Sequence, residues 1–333
     1  MAFVTAEAAA KHAERLLEIL NESGAKPVAS GGIERGVLSA WEVLAALAKP
    51  DDPQDPNVES RHVAAAGIHD LAAKIGFVWD HFVNERSQLT PHLGLLAETY
   101  HVGQNATNAR WEKIEDQAVE QGDADKVIEL YWACLCLIAR MSAKLNHPRT
   151  SSGGKNPDVI ATAADGTRWA FALKTLAQVE KPENAAKNLA VRIEDGARQI
   201  LRTGCEKGIV VVNLKNVLDH QKLRAQGPFQ AWEMAHREMT HQIDALLHHF
   251  YMSEAALLQP LFEKRSIVAP VVILVAHATA LVYPPGRAKT MFTELKAMHA
   301  APVPAPVSPS PGTLGAEAIA FAAAMNHFVQ TVI

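Results

Sequence analysis

The sequence predicts a mixed α/β protein in which a helical region precedes a mixed β-sheet flanked by helices, so that the chain is α+β overall. Three observations lead to this prediction. Apolar residues recur at helical spacing through most of the first 146 residues. A strong hairpin signal, Asp165-Gly166, then stands between two apolar runs. The order from there is strand, strand, helix, strand, which is typical of a sheet with a helix crossing over one face.

The first region, residues 1–146, is predicted to be all-helical. Leu16, Leu17 and Leu20 lie on one helical face of residues 5–23. A polar, Pro-rich loop at 49–58 separates the second predicted helix from the third. The other helices predicted in this region span 34–48, 59–85, 91–101, 106–121 and 124–145.

The second region, residues 147–299, carries the predicted sheet. The hairpin is followed by a helix at 184–203, and GIVVVNL at 208–214 is typical of a buried strand. We expect a further helix at 229–250, one or two strands at 267–283, and a loop with a short helix at 285–298.

The end of the chain divides into two predicted segments. Residues 300–313 are rich in proline and predict an extended linker. Residues 314–333 predict an apolar helix that docks on this chain, on a second copy of it or on a partner protein.

The turn at Asp165-Gly166 allows two hairpin registers. A two-residue loop would place Asp158 and Lys174 on opposite faces, since facing alternates along a strand. A three-residue loop with a Gly bulge shifts the register by one residue and gathers Asp158, Ala172 and Lys174 on one face. The second register also gives the other face a continuous apolar surface, so it is the one we predict.

The composition of the chain argues against several classes of protein. The chain has 333 residues, 48% hydrophobic and 20% charged, with a net charge of -4, which gives no bulk signature of nucleic-acid binding. Three cysteines without CxxC spacing argue against a disulfide framework or a zinc knuckle. The N-terminus lacks the pattern of a secretory signal, and polar residues interrupt the longest apolar run, 267–283. We therefore expect a cytoplasmic protein with no membrane partner.

The stretch 156–214 resembles the PD-(D/E)xK phosphodiesterase superfamily, whose members share the restriction-endonuclease-like fold. The resemblance is carried by Pro157-Asp158 on the first strand of the hairpin, Lys174 on the second, and Gln199 on the following helix. It implies a DNA-cleaving enzyme that acts in restriction, repair or defence against mobile DNA. It also implies three catalytic residues, which are Asp158, Lys174 and Gln199.

The implied chemistry has a physical basis. Mg²⁺ (or Mn²⁺) stabilises charge that builds on the phosphate oxygens and lowers the pKa of an attacking water. Mg²⁺ prefers oxygen ligands and retains several waters, so one or two carboxylates suffice. In this scheme Asp158 binds the metal, Lys174 orients the water, and Gln199 supports the site.

The sequence departs from the family pattern at Ala172, where a second acidic ligand is expected. Asp195 is the best replacement, because it shares a helix face with Gln199. The other carboxylates that we consider are Glu129, Glu180, Glu183 and Glu194.

Basic residues near the predicted site are candidate contacts to a phosphate backbone. They are Lys155, Arg192 and Arg198. DNA is thus the expected partner. The alternative function is a catalytically inactive nuclease-fold protein that binds nucleic acid or another protein. A third hypothesis places a metal on His241, Asp244 and His248, which fall on one helix face.

Overall fold

The structure is a computed structural model. It describes residues 3–4, 6–27, 32–47, 58–97, 127–148, 156–176, 182–224, 229–262, 266–283 and 291–332. The predicted helix at 106–121 lies outside these residues. The chain divides into two compact units. The first comprises residues 1–131, 220–235 and 278–295, and the second comprises 132–219, 236–277 and 296–333.

Helices and strands both occur after residue 138, which confirms the mixed α/β class. In chain order they are β1 (Phe3–Val4), α1 (Ala6–Glu22), α2 (Gly32–Leu47), α3 (Val58–His81), α4 (Thr90–Ala97), α5 (Val127–Ile138), β2 (Ser142–Leu145), β3 (Val159–Thr162), β4 (Arg168–Thr175), α6 (Pro182–Leu201), β5 (Lys207–Asn213), α7 (His220–Arg224), α8 (Trp232–Ser253), β6 (Val268–Val282), β7 (Met291–Pro302) and α9 (Leu314–Val332). Short 3₁₀ helices span Arg86–Gln88 and Ala255–Phe262.

The first unit is built around α3, which packs against both α1 and α2. A Cβ atom at Gly36 would lie 3.0 Å from Cβ of Ile68, so the glycine allows α2 to approach α3 closely. Two close polar side-chain contacts also lie within this unit. Nε2 of His69 lies 3.3 Å from Oε1 of Glu294, and Lys74 pairs with Asp70 one turn away on α3. In the same unit, Phe3 of β1 pairs with Thr293 of β7.

The strands of the mixed sheet follow the order β1-β7-β6-β5-β4-β3-β2, and the second unit holds β2 to β5 with residues 268–277 of β6 and 296–302 of β7. Strands β2, β3 and β4 are antiparallel neighbours, whereas β4, β5 and β6 run parallel. Parallel neighbours need a crossover connection, and α6 supplies the one between β4 and β5. α6 packs on the face that carries Ala172 and Val210, which Gly196 approaches.

The opposite face of the sheet is aromatic. Trp132 packs against Phe171 with 5.4 Å between ring centroids, and Phe321 of α9 stacks on Trp169 at 5.9 Å. Two polar contacts hold α9 as well, because Lys207 pairs with Glu317 and Met298 N–H donates to Oδ1 of Asn326. The C-terminal helix therefore docks on its own chain within the second unit.

The sequence predicted that residues 142–145 end a helix. In the structure they form strand β2 instead. The preceding helix stops because Arg140 adopts a left-handed conformation, with φ of 60°. Arg140 N–H donates to the carbonyl of Leu137, and Met141 N–H donates to that of Cys136, which is a Schellman arrangement. The chain then pairs with β3, and residues 132–146 fall in the second unit.

Residues 291–302 form strand β7, where the sequence predicted a loop, a short helix and the start of the linker. Glu, Leu, Lys, Ala and Met in this segment favour a helix. Pairing with β1 and β6 overrides that preference, because strand stability depends on neighbours that are distant in sequence. None of the helices in the part of the chain that the structure describes is long and apolar enough to cross a lipid bilayer.

Candidate functional site

The hairpin of β3 and β4 has the register predicted from its apolar pattern. Val159 pairs with Phe171 and Ala161 with Trp169, which corresponds to a three-residue loop. Phe171 and Trp169 therefore share the aromatic face with Val159 and Ala161. Asp158 falls on the other face, together with Ala172 and Lys174.

The turn itself explains why the loop has three residues. Gly166 has φ of 86°, which glycine adopts without strain, and its N–H donates to the carbonyl of Ala163. Oδ1 of Asp165 accepts the N–H of Thr167 at 2.9 Å. Hydrogen bonds from the backbone and the side chain of Thr167 lower the pKa of Asp165 below its ordinary value.

Asp158 is held firmly at the start of β3. Its N–H donates to the carbonyl of Phe171 at 3.1 Å, and its Oδ2 accepts the N–H of Leu173 at 2.7 Å. Nζ of Lys174 lies 3.8 Å from the same oxygen. The two side chains are 14% and 13% exposed, so the pair is accessible to solvent at the edge of the sheet.

Asn146 also holds this segment in place, a role that no sequence pattern predicted. Its N–H donates to the carbonyl of Asp158 at 3.0 Å, and its Nδ2 donates to the carbonyl of Pro157 at 2.8 Å. The predicted helix had ended at residue 145, and Asn146 therefore had no expected partner. Only the pairing of β2 with β3 brings it to Pro157.

Ala172 lies beneath α6 and is 0% exposed. A Cβ atom at Gly196 would lie 3.4 Å from Cβ of Ala172 and 2.8 Å from Cγ1 of Val210. Helix and sheet are thus in close contact at the position where the resemblance implies a second acidic ligand. A carboxylate at residue 172 would be buried in this contact.

Asp195, the predicted replacement ligand, is exposed on α6 next to Gly196, whereas Gly196 faces the sheet. The other carboxylates are placed as follows. Glu194 pairs with Arg198 at 2.6 Å, and Glu183 is exposed in the first turn of α6. Glu129 lies in the first unit and pairs with His92 at 3.4 Å, while Glu180 falls outside the described residues.

Gln199 is buried, 8% exposed, on α6. It lies between Gly196, which approaches Ala172, and Ile200, which contacts Gly208 at the start of β5. The helix therefore carries Gln199 on its sheet-facing side.

The three predicted nucleic-acid contacts have different surroundings. Arg198 is exposed and engaged by Glu194, as above, and Lys155 lies outside the described residues. Arg192 is half-buried one turn before Gly196, and its Nε is buried without a hydrogen-bond partner among the described residues.

The donor set fits Mg²⁺ or Mn²⁺ poorly. Such ions retain several waters, but a single carboxylate holds them only weakly. Asp158 supplies one carboxylate, Ala172 supplies no ligand, and the Oδ2 atom of Asp158 already faces Leu173 N–H and Lys174. Across the described ranges, no group of three or more His, Cys, Asp or Glu side chains could hold a metal ion. That includes His241, Asp244 and His248, which are exposed on α8.

The cysteines are free and buried. Burial raises the pKa of the Cys134 thiol to about 12 and also raises that of Cys136. Cys134 and Cys136 are buried core residues of α5.

The chain was compared with protein-family models, curated proteins and solved structures. No family model, no curated protein and no solved structure matches it.

Proposed function

We propose that the second unit is a nuclease-like domain that binds the phosphate backbone of DNA at the edge where Asp158 and Lys174 meet, and that it does not hydrolyse the DNA. The order of hairpin, crossover helix and parallel strand supports the nuclease-like, restriction-endonuclease-like part of this proposal. The side chain of Lys174 is 13% exposed, and its ammonium group is a suitable group for binding a phosphate.

One observation carries the choice of binding over hydrolysis. Ala172 is fully buried against the helix at Gly196, where the resemblance implies a metal ligand. Hydrolysis in this superfamily rests on a divalent cation that stabilises the charge on the phosphate oxygens. With a single carboxylate at the hairpin, binding of DNA is the function that the residues support best.

Metal-dependent hydrolysis is the second candidate function, and a specific observation favours it. Asp158 and Lys174 share one face of the hairpin with 3.8 Å between Oδ2 and Nζ, as the resemblance implies. In this function Asp158, with Asp195 as a second ligand, would hold Mg²⁺ or Mn²⁺. Lys174 and Gln199 would then complete the catalytic residues.

A cleavage assay separates the two functions. The protein is incubated with plasmid and with single-stranded DNA, in Mg²⁺ or Mn²⁺, beside Asp158→Ala and Lys174→Ala. We expect intact DNA in every reaction and slower migration of the DNA with the natural chain. Cleavage that both substitutions abolish would establish the second function. Cleavage that survives both would point to a contaminant or to another site.

A further inference from the structure

The ion pair between Asp158 and Lys174 joins a carboxylate held by a backbone hydrogen bond to an ammonium group on a flexible side chain. The Asp158 carboxylate accepts the N–H of Leu173, and both peptide carbonyls at Pro157 and Asp158 are bonded to Asn146. Lys174 places its ammonium group at the end of a flexible four-carbon side chain. Its Nζ lies 3.8 Å from Oδ2, beyond the distance of a charge-assisted hydrogen bond.

We propose that Asp158 is an internal counter-ion for Lys174, which an incoming phosphate displaces when DNA binds. The proposal rests on the DNA-binding function above and assigns the two residues their roles in it. Lys174 is the anion-binding residue, and Asp158 competes with the ligand for it. The ligand is any phosphodiester oxygen, because a carboxylate and a phosphate offer the same kind of anionic acceptor to an ammonium group.

The energetics allow such an exchange. The side chains of Asp158 and Lys174 are 14% and 13% exposed, and the 3.8 Å between Oδ2 and Nζ is long for an ion pair. Lys174 can therefore turn from Asp158 to a phosphate, while Leu173 N–H holds the carboxylate and Asn146 holds the backbone carbonyls of Pro157 and Asp158. A negative charge that stays near the bound phosphate also opposes it.

If Asp158 has this role, the direction in which its replacement changes DNA affinity can be predicted. Removal of the charge at residue 158 strengthens DNA binding if Asp158 competes for Lys174. It weakens DNA binding in Mg²⁺ if Asp158 instead holds a cation that bridges to the phosphate. Asp158→Asn is the appropriate change, since the amide oxygen retains an acceptor for Leu173 N–H. Asp158→Ser, which is also uncharged and retains an oxygen, replaces it if the first variant does not fold by circular dichroism.

The experiment titrates full-length protein into a short fluorescein-labelled DNA duplex, with EDTA and separately with Mg²⁺, and follows fluorescence anisotropy. We expect Asp158→Asn to bind about threefold to tenfold more tightly than the natural chain in both buffers. In the Lys174→Gln background the same change should give no gain, because the residue for which Asp158 competes is gone.

Asp80→Asn is the matched control, since Asp80 is an exposed carboxylate on α3 in the other unit. If Asp80→Asn raised DNA affinity equally, or if Asp158→Asn still raised it in the Lys174→Gln background, net charge alone would explain the effect. Either result would overturn the proposal. Equal or weaker binding by Asp158→Asn would overturn it too. If the natural chain binds no DNA, the proposed function fails and this proposal fails with it, which is a different result from the others.

Discussion

At the scale of single residues, Ala172 determines whether the hairpin edge has room for a second carboxylate. The position is fully buried under Gly196 of α6, so a small side chain there serves the contact between helix and sheet. The small side chain at this position and the close approach of the helix are therefore one structural feature. A carboxylate cannot be placed there without separating α6 from β4.

Ala172→Glu tests this interpretation. The new carboxylate would be buried beside Gly196 without room for water, so we expect a loss of about 3–5 kcal/mol of unfolding free energy in urea denaturation. We also expect no gain of DNA cleavage in Mg²⁺. Ala164→Glu, in the exposed turn, is the control and should change stability by less than about 0.5 kcal/mol. A stable Ala172→Glu protein that cleaves DNA would show that only the ligand was missing.

A second residue-scale prediction concerns His12, whose ring stacks on that of His69 with 4.9 Å between centroids. Burial and the His69 imidazole lower the pKa of His12, and Glu294 acts in the opposite direction. The unfolded chain therefore binds the proton more readily than the folded one. Stability is unaffected well above the ordinary pKa of 6.5 and falls as the pH drops below it.

His12→Phe retains a ring to stack on His69 and removes the titrating group. We expect this variant to lose less unfolding free energy than the natural chain between about pH 7.5 and about pH 5.5, measured by urea denaturation at each pH. An equal loss in both proteins would mean that His12 does not contribute to the acid sensitivity.

At the scale of elements, the hairpin and its crossover helix followed from the sequence, because their patterns are local. The alternation in VIAT and RWAFALKT marks one apolar face, and Gly166 marks the turn. Strand β7 did not follow, because its residues favour a helix and only its distant neighbours make it a strand.

The same reasoning applies to the candidate site. Asp158 and Lys174 could be paired from the register alone, and the structure brings them together. Asn146 and Gly196 could not be foreseen in their roles. Each acts through a contact with another element, β3 for Asn146 and β4 with β5 for Gly196, that no local pattern specifies.

The element-scale prediction concerns α9. Phe321 stacks on Trp169 and Phe171, with centroid distances of 5.9 Å and 5.4 Å, so it fixes the helix to the aromatic face of the sheet. Phe321→Ala should lower the unfolding free energy by about 1–3 kcal/mol. Ala323→Ser, on the exposed side of α9, should change it by less than about 0.5 kcal/mol. Equal stability of both variants would mean that α9 is not docked through Phe321.

At the scale of the whole molecule, the chain combines a helical unit with a sheet unit. The buried polar pairs of the first unit, His69 with Glu294 and His92 with Glu129, lie apart from the hairpin in sequence. The charged edge that we connect with DNA belongs to the second unit. Because the net charge is -4, the proposed DNA binding requires a local cationic group such as Lys174, and we expect it to weaken as salt rises.

The most direct test of the central claim is DNA binding by the natural chain and by Lys174→Gln in Mg²⁺, followed by gel analysis of the recovered DNA. We predict saturable binding by the natural chain, binding weakened at least about threefold by Lys174→Gln, and fully intact DNA after both titrations. Products of cleavage in the natural chain's titration that are absent with Lys174→Gln would contradict the claim, as would equal binding by the two proteins.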